Sequence, residues 1–180
     1  MPLRLLAEAD LPLMLAWRNT PDVRLNMYST RDIGEAEHRA WFVGMQEDPQ
    51  LRWYMHLNED GAPDGVVYFT QYQPQQASAF WGFYLGERRG SGAGLRLGID
   101  GLDEAFGSLG LHKLNADVIA PNERSLRFHE RLGFRQEGFF REHHFDGEKR
   151  IDVVRFGMLA DEWAVRRPTL VAALAQGGAR

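Results

Sequence analysis

The chain contains no cysteine, which excludes disulfides, thiolate metal sites and a cysteine nucleophile. It carries no excess of positive charge. Lys and Arg number 21 against 25 Asp and Glu, a formal net charge of −4, so nothing global attracts nucleic acid or an anionic membrane. No apolar run approaches the ~20 residues of a membrane span. The opening Met1-Pro2-Leu3-Arg4-Leu5-Leu6-Ala7-Glu8 brings in acid too early for a signal peptide. There is no internal repeat and no linker-like stretch that divides the chain. These absences imply one domain in the cytoplasm, and 180 residues suffice for a substantial core.

What is present is organised around Arg89-Gly90-Ser91-Gly92-Ala93-Gly94. The apolar run Ala79 to Leu85 before it reads as a buried strand. After it, Leu95, Ile99, Leu102, Ala105, Phe106 and Leu109 are spaced for one face of a helix over 95–109. Glycines at a strand-to-helix junction let several amides converge on one anion, where the helix dipole favours negative charge. The expected ligand is a phosphate group. A Walker loop is excluded because Gly94 is followed by Leu95-Arg96 rather than Lys-Ser/Thr, and the glycine spacing does not fit a dinucleotide fingerprint. A glycine-rich turn without any ligand explains the six residues alone equally well. The flanking strand and helix tip the balance toward acyl-coenzyme A.

The remaining pattern gives a strand over 3–6, a short helix from an Asp10 cap to Trp17, and a second helix over 34–46 with Trp41, Phe42 and Met45 on its apolar face. His38 shares that face. Strands follow over 52–57, 66–72 and 79–85, as an antiparallel meander. Beyond Gly110 come a strand over 112–119, a helix over 123–132 capped by Asn122 and ended by Gly133, and two strands over 134–145 and 150–159 joined at Asp146-Gly147. His143 and His144 are adjacent on a strand and so face opposite sides, and no His/Cys/carboxylate cluster has ligand spacing, so no metal is expected. The domain is expected over 1–165, with 166–180 as a tail that is either a helical turn or disordered.

Two motifs carry a family likeness. Arg89-x-x-Gly92-x-Gly94 resembles the pyrophosphate loop of the GNAT superfamily of N-acetyltransferases. Asn122-Glu123-Arg124-Ser125 with Phe128, His129 and Gly133-Phe134 resembles the Asn-x-x-Ala/Ser…Tyr…Gly-Phe segment of the same superfamily. The resemblance implies an α/β (α+β) GNAT fold: a mixed central sheet flanked by helices, with a strand pair splayed near Phe83 and Asn115 to admit pantetheine. It implies acetyl-CoA as co-substrate, held by Phe83, Tyr84, Leu85, Arg89, Gly90, Ser91, Gly92, Ala93, Gly94, Leu95, Asn122, Ser125 and Phe128. With no cysteine, transfer bypasses a cysteinyl intermediate. His129 stands where many relatives have tyrosine, the acid that protonates the departing thiolate, and an unperturbed histidine pKa near ~6.5 suits that work.

The N-terminal pattern Trp17-Arg18-Asn19, Met27-Tyr28-Ser29, Ile33 and His38, with Asp152 near the end, resembles the nucleotide-sugar branch that acetylates a UDP-linked 4-amino-dideoxy sugar in pseudaminic acid biosynthesis. This implies a UDP pocket built from Arg18, His38 and Thr70, with Met27 and Tyr28 also on the substrate side, and Asp117 as a base acting through water. Two alternatives stay open: a protein N-terminal acetyltransferase of the ribosomal-protein type, and a coenzyme-A-binding sensor module without turnover.

Overall fold

The computed structural model describes residues 2–86 and 92–177. Its strands are β1 (Leu3–Leu5), β2 (Arg52–Leu57), β3 (Pro63–Gln73), β4 (Ser78–Leu85), β5 (Lys113–Ile119), β6 (Arg135–Phe145) and β7 (Arg150–Leu159). Its helices are α1 (Leu11–Asn19), α2 (Pro21–Arg24), α3 (Glu35–Glu47), α4 (Ala93–Asp103), α5 (Glu123–Leu132) and α6 (Ala160–Gly177). One seven-stranded sheet has the order β1-β2-β3-β4-β5-β7-β6. Every neighbouring pair is antiparallel except β4 and β5, the pair connected through α4. That connection is forced: parallel neighbours need a long crossover, and a helix is the usual one.

Both faces of the sheet are covered, which is why its central strands read as apolar runs rather than as an alternation. On one face Val67, Phe69, Trp81 and Leu114 pack with Leu97 and Leu102 of α4, Leu132 of α5, and Trp163 and Leu170 of α6. On the other, Met55, Val66 and Tyr84 pack with Met14 and Trp17 of α1, Val23 of α2, and Phe42 and Met45 of α3. Phe69 and Leu97 are fully buried. Each such side chain contributes about 1.5–3 kcal/mol by leaving water.

Local signals explain the helix ends in the second half. Asn122 Oδ1 accepts the Ser125 N–H at 3.0 Å, satisfying one of the free amides that open α5. Gly133 closes α5 at φ +105°, a left-handed conformation that glycine adopts without strain. α4 ends in one wide turn, in which the Leu109 N–H reaches back five residues to the Glu104 carbonyl at 2.9 Å.

Two sequence expectations are corrected here. Asp10 does not cap α1: its carboxylate turns back to accept two bonds from Arg4, both 2.7 Å, and the Ala7 N–H at 2.9 Å. Residues 166–177, expected to lie in a tail that is either a helical turn or disordered, continue α6. Leu170 is buried in the core, and the Trp163 Nε1–H donates to Asp103 Oδ1 of α4 at 3.0 Å. These contacts offset Pro168, whose missing N–H costs a helix interior about 3 kcal/mol.

Candidate active site

The β4–β5 ladder is short. Its register runs only from Ser78↔Lys113 to Phe80↔Asn115. Beyond that point Trp81–Leu85 stay paired to β3, while Ala116–Ile119 stay paired to β7. The two strands separate, and the backbone of Trp81–Leu85 has no ladder partner on the β5 side. A cleft of about 820 Å³ fills the gap. It passes through the sheet, from the α4 and α5 side to the side covered by α2 and the chain that follows it.

On the α4 and α5 side the cleft is lined by Phe83, Leu85, Gly94, Asn122, Ser125, Phe128 and His129. Gly92 sits at the start of α4 with φ +78°, and Ala93 and Leu95 are buried beneath it. Gly94 leaves room at the helix start: the nearest atom to a Cβ built there is 3.6 Å away. Arg89, Gly90 and Ser91 lie outside the described residues. An opening α-helix, a glycine at its first turn and an unpaired strand edge fit an anionic, amide-bearing coenzyme. Free amides at a helix start are the donors that a phosphate takes, and an unpaired strand edge is what the amides of a pantetheine arm pair with.

His129 lies on this side as well. It is buried, in a cage of Trp81, Phe83, Phe128, Phe134 and Phe156, with its ring stacked on Phe156 at 5.4 Å between centroids. Its Nδ1–H donates to the Ser125 carbonyl at 2.8 Å. Burial among aromatics pushes its pKa down to about 4, despite that bond. The ring is therefore neutral near pH 7 and its one proton is engaged. The acid role expected from sequence does not fit this environment.

On the far side the lining includes Met27, Tyr28, Tyr68, Thr70, Phe80 and Asp117. Burial pushes the Tyr28 phenol up to about 12, with the Asp117 charge adding to it, so this hydroxyl stays protonated. Asp117 does not face the cleft as a free base. Arg155, its partner in the β5–β7 register, donates Nη2–H to Oδ2 at 2.8 Å and Nε–H to Oδ1. Both carboxylate oxygens accept from the guanidinium, which also lies over the Phe80 ring at 4.6 Å. With both oxygens engaged by Arg155, Asp117 is not the unpaired carboxylate that the expected base role calls for.

Arg18 and His38 are not among the side chains that line the cleft. Arg18 donates Nη2–H to the Ser29 carbonyl at 2.7 Å, beneath the segment that follows α2. His38 is buried and stacked on Trp41 at 5.2 Å. From there an aromatic series leads through Trp53 to Tyr68 at the cleft wall. Of the five expected substrate residues the structure brings Met27, Tyr28 and Thr70 to the cleft, and keeps Arg18 and His38 behind it. Sequence reasoning missed Phe80 and Arg155, which become visible only through strand register. Among the described residues no group of three or more His, Cys, Asp or Glu side chains is placed to hold a metal ion.

This geometry agrees with comparisons to known proteins. Residues 1–135 match the family model described as acetyltransferase (GNAT) domain. The chain is 27% identical over 128 residues to an SPbeta prophage-derived uncharacterized N-acetyltransferase of Bacillus subtilis, covering 69% of this chain and 71% of that one. It is 26% identical over 122 residues to the phosphinothricin N-acetyltransferase of Streptomyces coelicolor, covering 64% and 70%. Its fold is that of the spermidine N-acetyltransferase of Vibrio cholerae solved with CoA and spermine, with a TM-score of 0.82 at 23% identity over 90% of this chain and 96% of that one. With a family model spanning most of its length and a sheet splayed at the strand pair that the fold requires, the chain belongs to the GNAT family of acetyl-CoA-dependent acetyltransferases.

Proposed function

We propose that the chain acetylates the primary amine of a small molecule, by direct transfer from acetyl-CoA in a ternary complex within the β4–β5 cleft. One observation carries the reading: the ladder stops at Phe80↔Asn115, and the cleft so opened is lined by a helix start on one side and by a fixed carboxylate among aromatic rings on the other.

The residues divide the work. Gly92, Gly94 and the first turn of α4, with Arg89, Gly90 and Ser91 of the same motif, hold the pyrophosphate. The backbone of Phe83–Leu85 pairs with pantetheine, and an amide of that unpaired edge stabilises the oxyanion. Asn122, Ser125 and Phe128 close the coenzyme side. The charge of Asp117 draws an ammonium group toward the splay, and Arg155 offsets part of that charge, so the amine is not locked in its protonated form. The amine loses its proton to water before attack. The leaving thiolate belongs to a thiol of pKa near ~8.5, which water reprotonates near neutral pH without a dedicated acid. Holding both reactants in one cleft supplies the proximity term.

A narrower reading names the acceptor as a UDP-linked amino-dideoxy sugar acetylated on its 4-amino group. Arg18 Nη1 and His38 Nε2 favour it, because both are buried without a hydrogen-bond partner among the described residues, as a polar ligand group would leave them before it binds. For that ligand to reach them, the segment between α2 and α3 must move.

A mass-spectrometric acetylation assay tests both readings. The panel is spermidine, phosphinothricin, the UDP-4-amino-dideoxy sugar and a library of N-terminal peptides, each with acetyl-CoA. Acetylation of any small amine with the peptides untouched is the expected result, and the sugar alone selects the narrower reading. Acetylated peptides alone would overturn the small-molecule acceptor. No product on any acceptor, with CoA still bound, would point to the sensor alternative.

A further inference from the structure

His56 of β2 is fully buried, opposite Gly65 of β3 in the strand register. Its Nδ1 meets the Asp64 carboxylate, and its Nε2 lies 3.0 Å from Asp100 Oδ2. An ionised carboxylate only accepts hydrogen bonds. Carboxylates on both ring nitrogens therefore call for two N–H groups, which is the imidazolium. A neutral ring would aim a lone pair at one of the two acids. Burial opposes the charged ring, but the hydrogen bonds and charges of Asp100 and Asp64 outweigh it and raise the pKa.

The two carboxylates belong to opposite sides of the glycine-rich loop. The Asp64 carbonyl accepts the N–H of Gly86, the last described residue before the loop, at 2.8 Å. Asp100 lies on α4, the helix that starts just after the loop. Between them α4 rests directly on β3: a Cβ built at Gly65 would stand 2.4 Å from Leu97 Cδ1. Steric fit sets the distance there, and the ion triad fixes the slide of helix on strand.

We propose that His56 is a positioning residue for coenzyme binding: its protonated ring, clamped between Asp64 and Asp100, holds the two ends of the pyrophosphate loop in register. This rests on the reading that the start of α4 receives the coenzyme's pyrophosphate. Among the described residues the charged groups around the ring are few. Asp64 faces it from β3 and Asp100 from α4. Beyond Asp100 stands Arg167 of α6, paired with Asp103 at 2.7 Å. One turn earlier on α4, Arg96 is paired with Glu59 at 2.7 Å. From β1 the partner in register is the apolar Leu3. The clamp holds below the raised pKa of the ring and loosens as pH rises through it.

The test is acetyl-CoA KM, amine KM and kcat of the full chain across pH, with CoA affinity by calorimetry. In the wild type, acetyl-CoA KM should climb on the alkaline side of ~6.5. In Asp100→Asn, which keeps an acceptor for Nε2 but removes the charge, the climb should begin at lower pH, with KM raised about tenfold there and amine KM unchanged. In His56→Gln, acetyl-CoA KM should be high and flat with pH. Asp100→Asn decides the matter if His56→Gln does not fold. CoA binding by the wild type with no alkaline weakening, or an unmoved climb in Asp100→Asn, overturns the role of His56 and leaves the coenzyme site standing. No CoA binding by the wild type at any pH overturns the coenzyme site and this proposal together.

Discussion

The Ser125 carbonyl holds the single proton of the His129 ring, at 2.8 Å from Nδ1. The same carbonyl belongs to the turn of α5 that Asn122 caps, so the ring is fixed by the helix from which it projects. A neutral imidazole in an aromatic cage packs; it has no second proton to give. His129→Phe should therefore lower the melting temperature modestly and keep kcat within about tenfold of wild type. General acid catalysis is worth ~10²–10⁴ in rate, so a loss of ~100-fold or more would restore the acid role.

The contrast with the sequence reading of His129 shows where legibility ends. Asn122, Gly133 and Gly92 were readable because capping and left-handed turns depend on a few adjacent residues. The strand before the glycine loop and the helix after it were readable from periodicity. The aromatic cage around His129 gathers residues from β4, α5 and β7, and no local pattern records that. The Asp117–Arg155 pair spans 38 positions, and the His56–Asp100 contact spans 44. Both are set by register and by the docking of α4. The docked helix beyond 165 was not readable, because α6 makes its contacts, through Trp163 and Leu170, with distant parts of the chain, and these leave no local pattern.

Of the three buried histidines among the described residues, His129 and His56 should give the stability curve opposite slopes, and His38, whose pKa burial also lowers, adds to the acid limb. His129 has a depressed pKa, so its stabilising contribution is complete above the unfolded value of ~6.5 and is lost as pH falls toward about 4. The most it removes is about 3 kcal/mol. His56 has a raised pKa, so its contribution is complete below ~6.5 and is lost as pH rises through the raised value. Melting temperature against pH should show a maximum between these limbs. His129→Phe should flatten the acid limb alone; an unchanged acid limb would contradict the assignment.

Gly82 carries the aromatic wall of the acceptor side. A Cβ built there would stand 2.2 Å from the Tyr68 ring, and that ring is stacked on Trp53 at 4.1 Å. Gly82→Ala should push Tyr68 into the cleft, cost about 1–3 kcal/mol in stability, and raise the amine KM with acetyl-CoA KM unchanged. Denaturant unfolding and bisubstrate kinetics on the one variant check both halves.

Gly92 tests the opposite side. Its φ of +78° costs a side-chain-bearing residue roughly 1–2 kcal/mol, and a β-branched one most. The Leu174 methyl 2.9 Å from a built Cβ is the end of a flexible side chain and can give way. Gly92→Val should fold yet bind CoA at least about tenfold more weakly, from a distorted first turn of α4. Undiminished CoA affinity by calorimetry would remove Gly92 from the coenzyme site.

The claim that both reactants meet in the splay between Trp81–Leu85 and Ala116–Ile119 has a direct kinetic signature. The chain has no cysteine, and of the described residues that line the cleft His129 is caged among aromatic rings and Asp117 is paired with Arg155, which favours direct attack by the amine over an acetylated enzyme. The measurement is a grid of initial velocities with acetyl-CoA and the best amine varied together. Intersecting double-reciprocal lines are predicted, because the amine attacks while the thioester is still bound. Parallel lines would mean that CoA leaves before the amine arrives, and would contradict direct transfer in the cleft.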